Sequence, residues 1–367
     1  MKKRLFSLLL VSALVFTLSG CGEKSLLRES DPVTLNFWHV YGEQSGSPMD
    51  LLVQEFNRTV GQEKGVRVQV TNLSSASKIG GFLKEAQKGG RDAPEMPDLF
   101  TCHISDATAL GSDNLVDWNA RFTAEELSNF VPGFLADGMT EDGTLLLFPI
   151  SKSTQLLMCN GSGFARSLAQ GHVVVSDLYS NTQVMTGDVL SGLGSSAAIL
   201  YYNDTVTYRD GTQEPMDLHV LPMPKTAGAD ALMTQAGVGL CAYKTTNQKA
   251  EAAALFVRWL TESERNLDFV AQTGYMPVRN GAFDAIENYD KFPEPTESYR
   301  QLYAALKIMQ ESYTPLSEPR FGGYYGKVSQ LYDGLRQMQQ ELPARAAAGE
   351  SIDALAEETW ALLCAIH

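Results

Sequence analysis

Val33-Thr34-Leu35-Asn36-Phe37-Trp38-His39-Val40-Tyr41, then Ser47-Pro48-Met49-Asp50, then Val66-Arg67-Val68-Gln69-Val70: these three stretches decide the fold. The first alternates apolar and polar residues and is rich in β-formers, so it reads as a strand. In the second, Ser47 caps a helix, Pro48 takes its first position and Asp50 puts a carboxylate in the first turn. Met49, Leu52, Val53 and Phe56 then share one face. Gly65 ends the connection, and Val66 to Val70 alternates again. Strand, helix and strand in close succession form a βαβ unit, which implies a parallel pair with helices outside the sheet.

Working toward the C-terminus, Lys78 to Lys88 reads as a helix and Pro97-Asp98-Leu99-Phe100 as a short buried strand. Thr123 with Glu126 makes a capping box for a helix running into Phe130. Glu141-Asp142-Gly143 is a turn. Pro149 interrupts the apolar run Leu145 to Ile150, which argues against a central strand and suits a segment crossing between two lobes. Ser151 to Asn160 reads as a strand and Asn160 to Gln170 as a weak helix. A Gly-rich stretch ends in Gly192-Leu193-Gly194-Ser195-Ser196. His219 to Pro224 is extended by its prolines. Asn247 caps a further helix, Thr261 and Glu264 form a second capping box, and Gly274 suits a helix end. Helices are expected near Ser298 to Glu311, Lys327 to Leu342 and Ser351 to Leu363.

Toward the N-terminus, Lys2, Lys3 and Arg4 precede the apolar run Leu5 to Leu18, which has the charge and length of a secretory signal. Leu18-Ser19-Gly20-Cys21 resembles a bacterial lipobox: an aliphatic residue, two small ones, then a thiol that can carry a diacylglycerol. Residues 1–20 are therefore expected to be removed. Cys21 is then the lipidated terminus of a chain anchored on the outer face of the cell membrane, with 21–32 as linker.

The formal charge is −14, and −17 once Lys2, Lys3 and Arg4 are lost. Such an exterior argues against nucleic acid. The remaining cysteines, Cys102, Cys159, Cys241 and Cys364, lack zinc or redox spacing and sit among apolar residues, so buried free thiols are favoured over disulfides. The sequence contains no H-E-x-x-H, no G-x-S-x-G and no phosphate loop, so neither a metal nor another cofactor is expected. Paired catalytic carboxylates meet in space and leave no signature.

Several stretches together resemble the solute-binding lipoproteins of bacterial ABC importers, in the group that captures sugars and glycerol phosphates. They are Leu35-Asn36-Phe37-Trp38-His39, Glu55-Phe56-Asn57, Pro149-Ile150-Ser151-Lys152-Ser153-Thr154, Gly194-Ser195-Ser196 and Thr273-Gly274-Tyr275-Met276-Pro277-Val278. The resemblance spans Val33 to Leu363. It implies an α/β, two-lobe periplasmic-binding-protein-like fold with a hinged cleft. Lobe 1 would be 33–147 with 240–285, and lobe 2 would be 148–239 with 286–367. The chain would cross near Phe148 to Ser151, Ala236 to Leu240 and Ala282 to Asp290. After Asn160 the sequence is several tens of residues shorter than the family pattern, with no Trp between Asn160 and Ser195 to match the family's second-lobe aromatic.

The implied partners are a carbohydrate or glycerol phosphate, ABC permease subunits and the membrane through the anchor, with the chain a monomer. No catalysis is implied. A lipoprotein glycoside hydrolase, or a sensor or degenerate binder that feeds no permease, is the alternative. Trp38 and Tyr41 lie where the first strand ends, the side of a parallel sheet where ligands gather, and Tyr41 is expected to be the exposed one. Ser153 and Thr154 match polar positions that face the ligand in glycerol-phosphate binders. Ser195 and Ser196 follow a turn whose N–H groups can point at an anion or hydroxyl, and Gly237 permits close backbone approach. Tyr275, between a helix end and Pro277, is expected to offer a stacking face. Arg320 matches the family's late Arg, whose fork can grip a phosphate. The acidic exterior leans toward a neutral carbohydrate, and Arg320 toward a phosphate.

Overall fold

The computed structural model describes residues 25–42, 47–73, 76–160, 179–225, 228, 230–320 and 324–350. The signal, Cys21, the helices expected at 160–170 and 351–363, and the shortened stretch after Asn160 lie outside them.

Strand β1 (Val33–His39), helix α1 (Pro48–Arg58), the short helix α2 (Val60–Lys64) and strand β2 (Val66–Asn72) form the expected βαβ unit. The two strands pair in parallel from Val33 opposite Val66 to His39 opposite Asn72. Ser47 caps α1, its Oγ accepting the Asp50 N–H at 3.3 Å. Helix α3 (Ala76–Lys88), strand β3 (Leu99–Cys102) and helix α4 (Ile104–Leu110) follow. β3 joins the other edge of β1 in parallel.

Phe37 of β1 meets Phe256, whose ring also lies edge-on to Phe56 of α1 at 5.0 Å. The opposite face of the sheet is covered by Ile79, Leu83, Ile104 and Ala107 from α3 and α4. Helices on both faces remove the apolar surface of the sheet from water, the main term holding such a layer together.

Next come α5 (Ala124–Ser128) and α6 (Pro132–Asp137). The Thr123–Glu126 capping box forms, but α5 stops at Ser128, short of Phe130. After the Pro149 break, β4 (Gln155–Asn160) is the middle of an antiparallel sheet between β5 (Ser191–Ser195) and β8 (Leu218–Leu221). Helix α7 (Ser180–Met185) precedes β5, and the hairpin β6 (Thr205–Thr207) with β7 (Gln213–Pro215) precedes β8. β9 (Leu232–Gln235) leads back, and β10 (Gly239–Ala242) joins the first sheet antiparallel to β3, giving the order β10-β3-β1-β2.

Helices α8 (Asn247–Leu260), α9 (Ser263–Ala271), α10 (Asn280–Ala285) and α11 (Thr296–Ser312), strand β11 (Thr314–Ser317) and helix α12 (Tyr324–Ala347) complete the described chain. β11 pairs in parallel with β9.

Two caps differ from expectation. Thr246, not Asn247, caps α8, its Oγ1 accepting the Lys249 N–H at 3.2 Å, so Asn247 is already helical. Thr261 does not cap α9. Its Oγ1 donates back to the Val257 carbonyl at 2.8 Å, because Thr261 closes the preceding helix. Cys102 and Cys241 are buried free thiols on neighbouring strands, as the sequence favours. Burial and the other sulfur push the Cys102 thiol pKa up.

Candidate functional site

The first sheet passes to the second through residues 148–154, and the chain returns through 236–239 beside them. Phe148 and Leu240 exchange backbone hydrogen bonds of 2.9 and 2.8 Å. Ser153 and Ala236 exchange bonds of 2.9 and 3.0 Å. Pro149 has no N–H, so the ladder cannot run on between these pairs. A third segment closes the gap: Lys152 pairs with Met276, just after α9, at 3.2 and 2.5 Å.

Hydroxyls gather on this junction. Ser153 Oγ lies 2.6 Å from Ser195 Oγ and 3.3 Å from Ser196 Oγ. The Ser196 N–H donates to the Thr154 carbonyl at 2.8 Å, tying the end of β5 to the start of β4. Thr154 Oγ1 and Gln235 Oε1 are buried without a hydrogen-bond partner among the described residues. A buried polar atom left unpaired costs free energy on the order of 1–3 kcal/mol, so their presence asks for a reason.

Two glycines permit the approach. Gly237 has φ +103°, a conformation other residues avoid, as it turns beside Ser153. Gly274, at φ +68°, would bring a Cβ to 2.9 Å from Ala197 Cα and 3.0 Å from the Ser196 carbonyl oxygen. The helix ends earlier, at Ala271 with Gln272 as its cap, so Gly274 does not terminate it as expected. Gly274 instead seats the Tyr275 segment against the Ser195–Ser196 turn.

Tyr275 is half-buried, and its ring meets Tyr41 edge-on with centroids 6.1 Å apart. Tyr41 is not the exposed residue of the first strand's end: it is 4 % exposed, because Phe269 of α9 and Tyr275 cover it. Its hydroxyl lies 3.0 Å from Ser151 Oγ. Burial, helped by Tyr275, pushes the Tyr41 phenol pKa upward, so it stays protonated. The Tyr41 N–H donates to His39 Nδ1 at 3.2 Å, and His39 Nε2 lies 2.8 Å from Asp50 Oδ1. Burial lowers the His39 pKa despite Asp50, and the neutral ring accepts at Nδ1 and donates from Nε2.

Trp38 is half-buried against the second core cluster, on the sheet face opposite the Phe37 layer. It does not join the hydroxyls. Arg320 does not present a free fork. Its Nη2 donates to the carbonyls of Ala136 and Asp137 at 3.1 Å each, and its Nη1 donates to that of Met139. These carbonyls lie at and just past the end of α6, where basic side chains commonly bind.

Sequence reasoning passed over Lys152 and Asp137, a buried ion pair. The available signal was a single cation inside the largely uncharged run Phe148 to Thr154, which must find a carboxylate if it is buried.

A cavity of about 520 Å³ lies elsewhere, beside α11, lined by Tyr289, Phe292, Tyr303 and Lys307 among others. Its rings stack on one another, Phe292 on Tyr303 at 5.3 Å, and Lys307 is bound to Glu287 at 2.5 Å. The crossing, with unpaired polar atoms and converging hydroxyls, is the stronger candidate. Among the described residues no group of His, Cys, Asp and Glu could hold a metal ion.

The architecture matches solved structures almost end to end. A cyclic alpha-maltosyl-1,6-maltose binding protein from Arthrobacter globiformis superposes with a TM-score of 0.63 at 14 % identity, over 92 % of this chain and 99 % of that one. UgpB from Mycobacterium tuberculosis, solved with glycerophosphocholine, gives 0.63 at 16 % identity, over 91 % and 99 %. The GacH receptor of Streptomyces glaucescens gives 0.60 at 14 % identity, over 92 % and 98 %. This is the two-lobe fold of the solute-binding proteins. Residues 164–294 also match the sequence family described as bacterial extracellular solute-binding protein. No curated protein sequence matches the chain. Within this fold, the hydroxyl cluster joins the passing segment, at Ser153, to the end of β5, at Ser195 and Ser196.

Proposed function

We propose that this protein is the membrane-tethered binding component of an ABC importer, capturing a carbohydrate or glycerol phosphate between its lobes without turning it over. The observation that carries the reading is the convergence of Ser153, Ser195 and Ser196 beside Tyr275 where three passing segments meet. Hydroxyls that both donate and accept suit the hydroxyls of a polyol, and a half-buried aromatic suits its apolar face. Structural neighbours whose names record a maltosyl-maltose and acarbose point the same way, while the one solved with glycerophosphocholine keeps a phosphate ligand in view.

The residues proposed to touch the ligand are Ser153, Thr154, Ser195, Ser196, Gly237 and Tyr275. Tyr41 lies behind Tyr275, and Trp38, packed on the other face of the sheet, is left out of the set. The nearby cations are engaged, Lys152 with Asp137 and Arg320 with carbonyls, which favours a neutral carbohydrate over a phosphate. Lobe 1 is taken as 33–147 with 240–285, and lobe 2 as 148–239 with 286–367. The return of β10 to the first sheet and the packing of α11 on β8 support that division. Cys21 is taken as the lipid anchor, holding the chain on the outer face of the membrane beside its permease.

A thermal-shift series on residues 22–367 against maltose, maltotriose, acarbose, glycerol 3-phosphate and glycerophosphocholine tests the reading. A ligand that binds the folded state raises the melting temperature by mass action. A rise with a saccharide and no product formed is the expected result. Product release that depends on one carboxylate would make the protein an enzyme instead.

A further inference from the structure

The ion pair beside the hydroxyl cluster is enclosed to an unusual degree. Lys152 is 1 % exposed and Asp137 is 7 % exposed. Taking both charges out of water is expensive, and such a pair is weak as a source of stability compared with apolar residues of the same volume. Its placement is therefore the informative feature. Lys152 lies on the passing segment itself, with its backbone paired to Met276 and its neighbour Ser153 paired to Ala236.

Asp137 is the last residue of α6, a short helix that meets the passing segment at Lys152 and several elements around it. Near its start, a Cβ at Gly133 would lie 2.8 Å from Pro315 of β11 and 3.8 Å from Gln235 Nε2 of β9. At its end, Arg320 grips the Ala136, Asp137 and Met139 carbonyls, joining the lead-in of α12 to the same helix. On the following turn, the Leu146 and Leu147 N–H groups both donate to the Gly138 carbonyl at 3.1 Å.

We propose that Lys152, Asp137 and Arg320 form a strut that fixes the angle of the passing segment, making Lys152 and Asp137 positioning residues for the ligand hydroxyls at Ser153 and Thr154. The guanidinium holds the end of α6, α6 holds the carboxylate, and the carboxylate holds the ammonium. A lysine reaching from its own strand to a fixed point sets that strand's direction, which apolar packing at the same place would leave to slide. The ligand-positioning part rests on the function proposed above, and the strut itself does not.

The test uses residues 22–367 without ligand, followed by amide hydrogen exchange. Lys152→Met alone strands a buried carboxylate and is expected to lower the melting temperature. The double variant Lys152→Met with Asp137→Asn removes both charges and is expected to recover most of it. In the double variant the amides of positions 152, 153, 236 and 276 should exchange about tenfold faster, while those of β1 and β2 keep their rates. Unchanged exchange at the four crossing positions would overturn the strut, and so would an increase spread evenly over the chain. A second arm measures maltotriose and glycerophosphocholine binding by calorimetry, where about tenfold weaker binding in the double variant is expected. If the parent protein binds neither probe, the proposed function loses support while the exchange arm still decides the strut. Binding at parental affinity in the double variant would remove the positioning role.

Discussion

The first sheet is sealed from water chiefly by apolar side chains, whereas the crossing buries a set of polar groups among its apolar ones. In the sheet, Leu35, Phe37, Leu99 and Phe100 have no exposure, and their neighbours are Phe56, Phe256 and Leu83. At the crossing, Ser151, Lys152, Ser153, Thr154, Ser196 and Gln235 are buried beside Phe148, Ile150, Val238 and Met276. Apolar burial stabilises without direction, so in the sheet layers volume-conserving apolar exchanges are tolerated best. Polar burial costs unless each group is met, so the crossing is specified atom by atom and two of its atoms remain unmet. The difference separates the apolar layers that carry stability from the polar junction proposed to bind the ligand.

That contrast can be broken most forcefully from the sheet side. Phe37→Ala should cost about 3–5 kcal/mol of stability in urea melts, yet leave ligand affinity unchanged under conditions where the variant is folded. A matching loss of affinity would erase the distinction. Tyr275→Ala is the converse experiment. It should weaken a bound saccharide by about 1–3 kcal/mol in calorimetry.

Arg320→Ala sharpens the assignment of that side chain. Losing the bonds to the α6 carbonyls should reduce stability by roughly 1–2 kcal/mol. Affinities for glycerol 3-phosphate and for a saccharide should shift together, and a loss confined to the phosphate would return Arg320 to the site.

The smallest effect is expected at His39. Its folded pKa is lowered below the ordinary histidine value of 6.5, chiefly by burial. Between that folded value and 6.5 the unfolded chain takes up the proton first, so its contribution is intact above 6.5 and lost as pH falls through the folded pKa. Urea midpoints measured from pH 7.5 down to 5 should fall more steeply for the parent than for His39→Gln.

Periodicity and capping carried far. The βαβ unit, the Ser47 cap, the Thr123–Glu126 box and the Pro149 break rest on short-range patterns, and each appears where its residues place it. Errors arose where two neighbours competed for one role, as with Thr246 and Asn247, because both side chains can cap and only the chain's entry angle decides. The site was legible as a set of stretches and less so as a set of exposures. Tyr41 looked exposed at a strand end, but α9, far along the chain, supplies the Phe269 that covers it. Arg320 looked like a ligand donor because nothing local reveals that the end of α6 lies within its reach. The Lys152–Asp137 pair was hidden for the same reason: charge complementarity has no period.

The position of β10 bears on how the molecule is made. Cys102 and Cys241 touch across neighbouring strands although 139 residues separate them. The edge of the first sheet thus stays open during synthesis until the second sheet, β9 and the return segment have all emerged. Phe256, which seals Phe37 and Phe56, comes later still. A chain threaded outward from its N-terminus therefore presents the β3 edge unpaired while the next 139 residues emerge. It holds there the kind of exposed strand that invites pairing with another chain, until its own distant segment arrives to claim it.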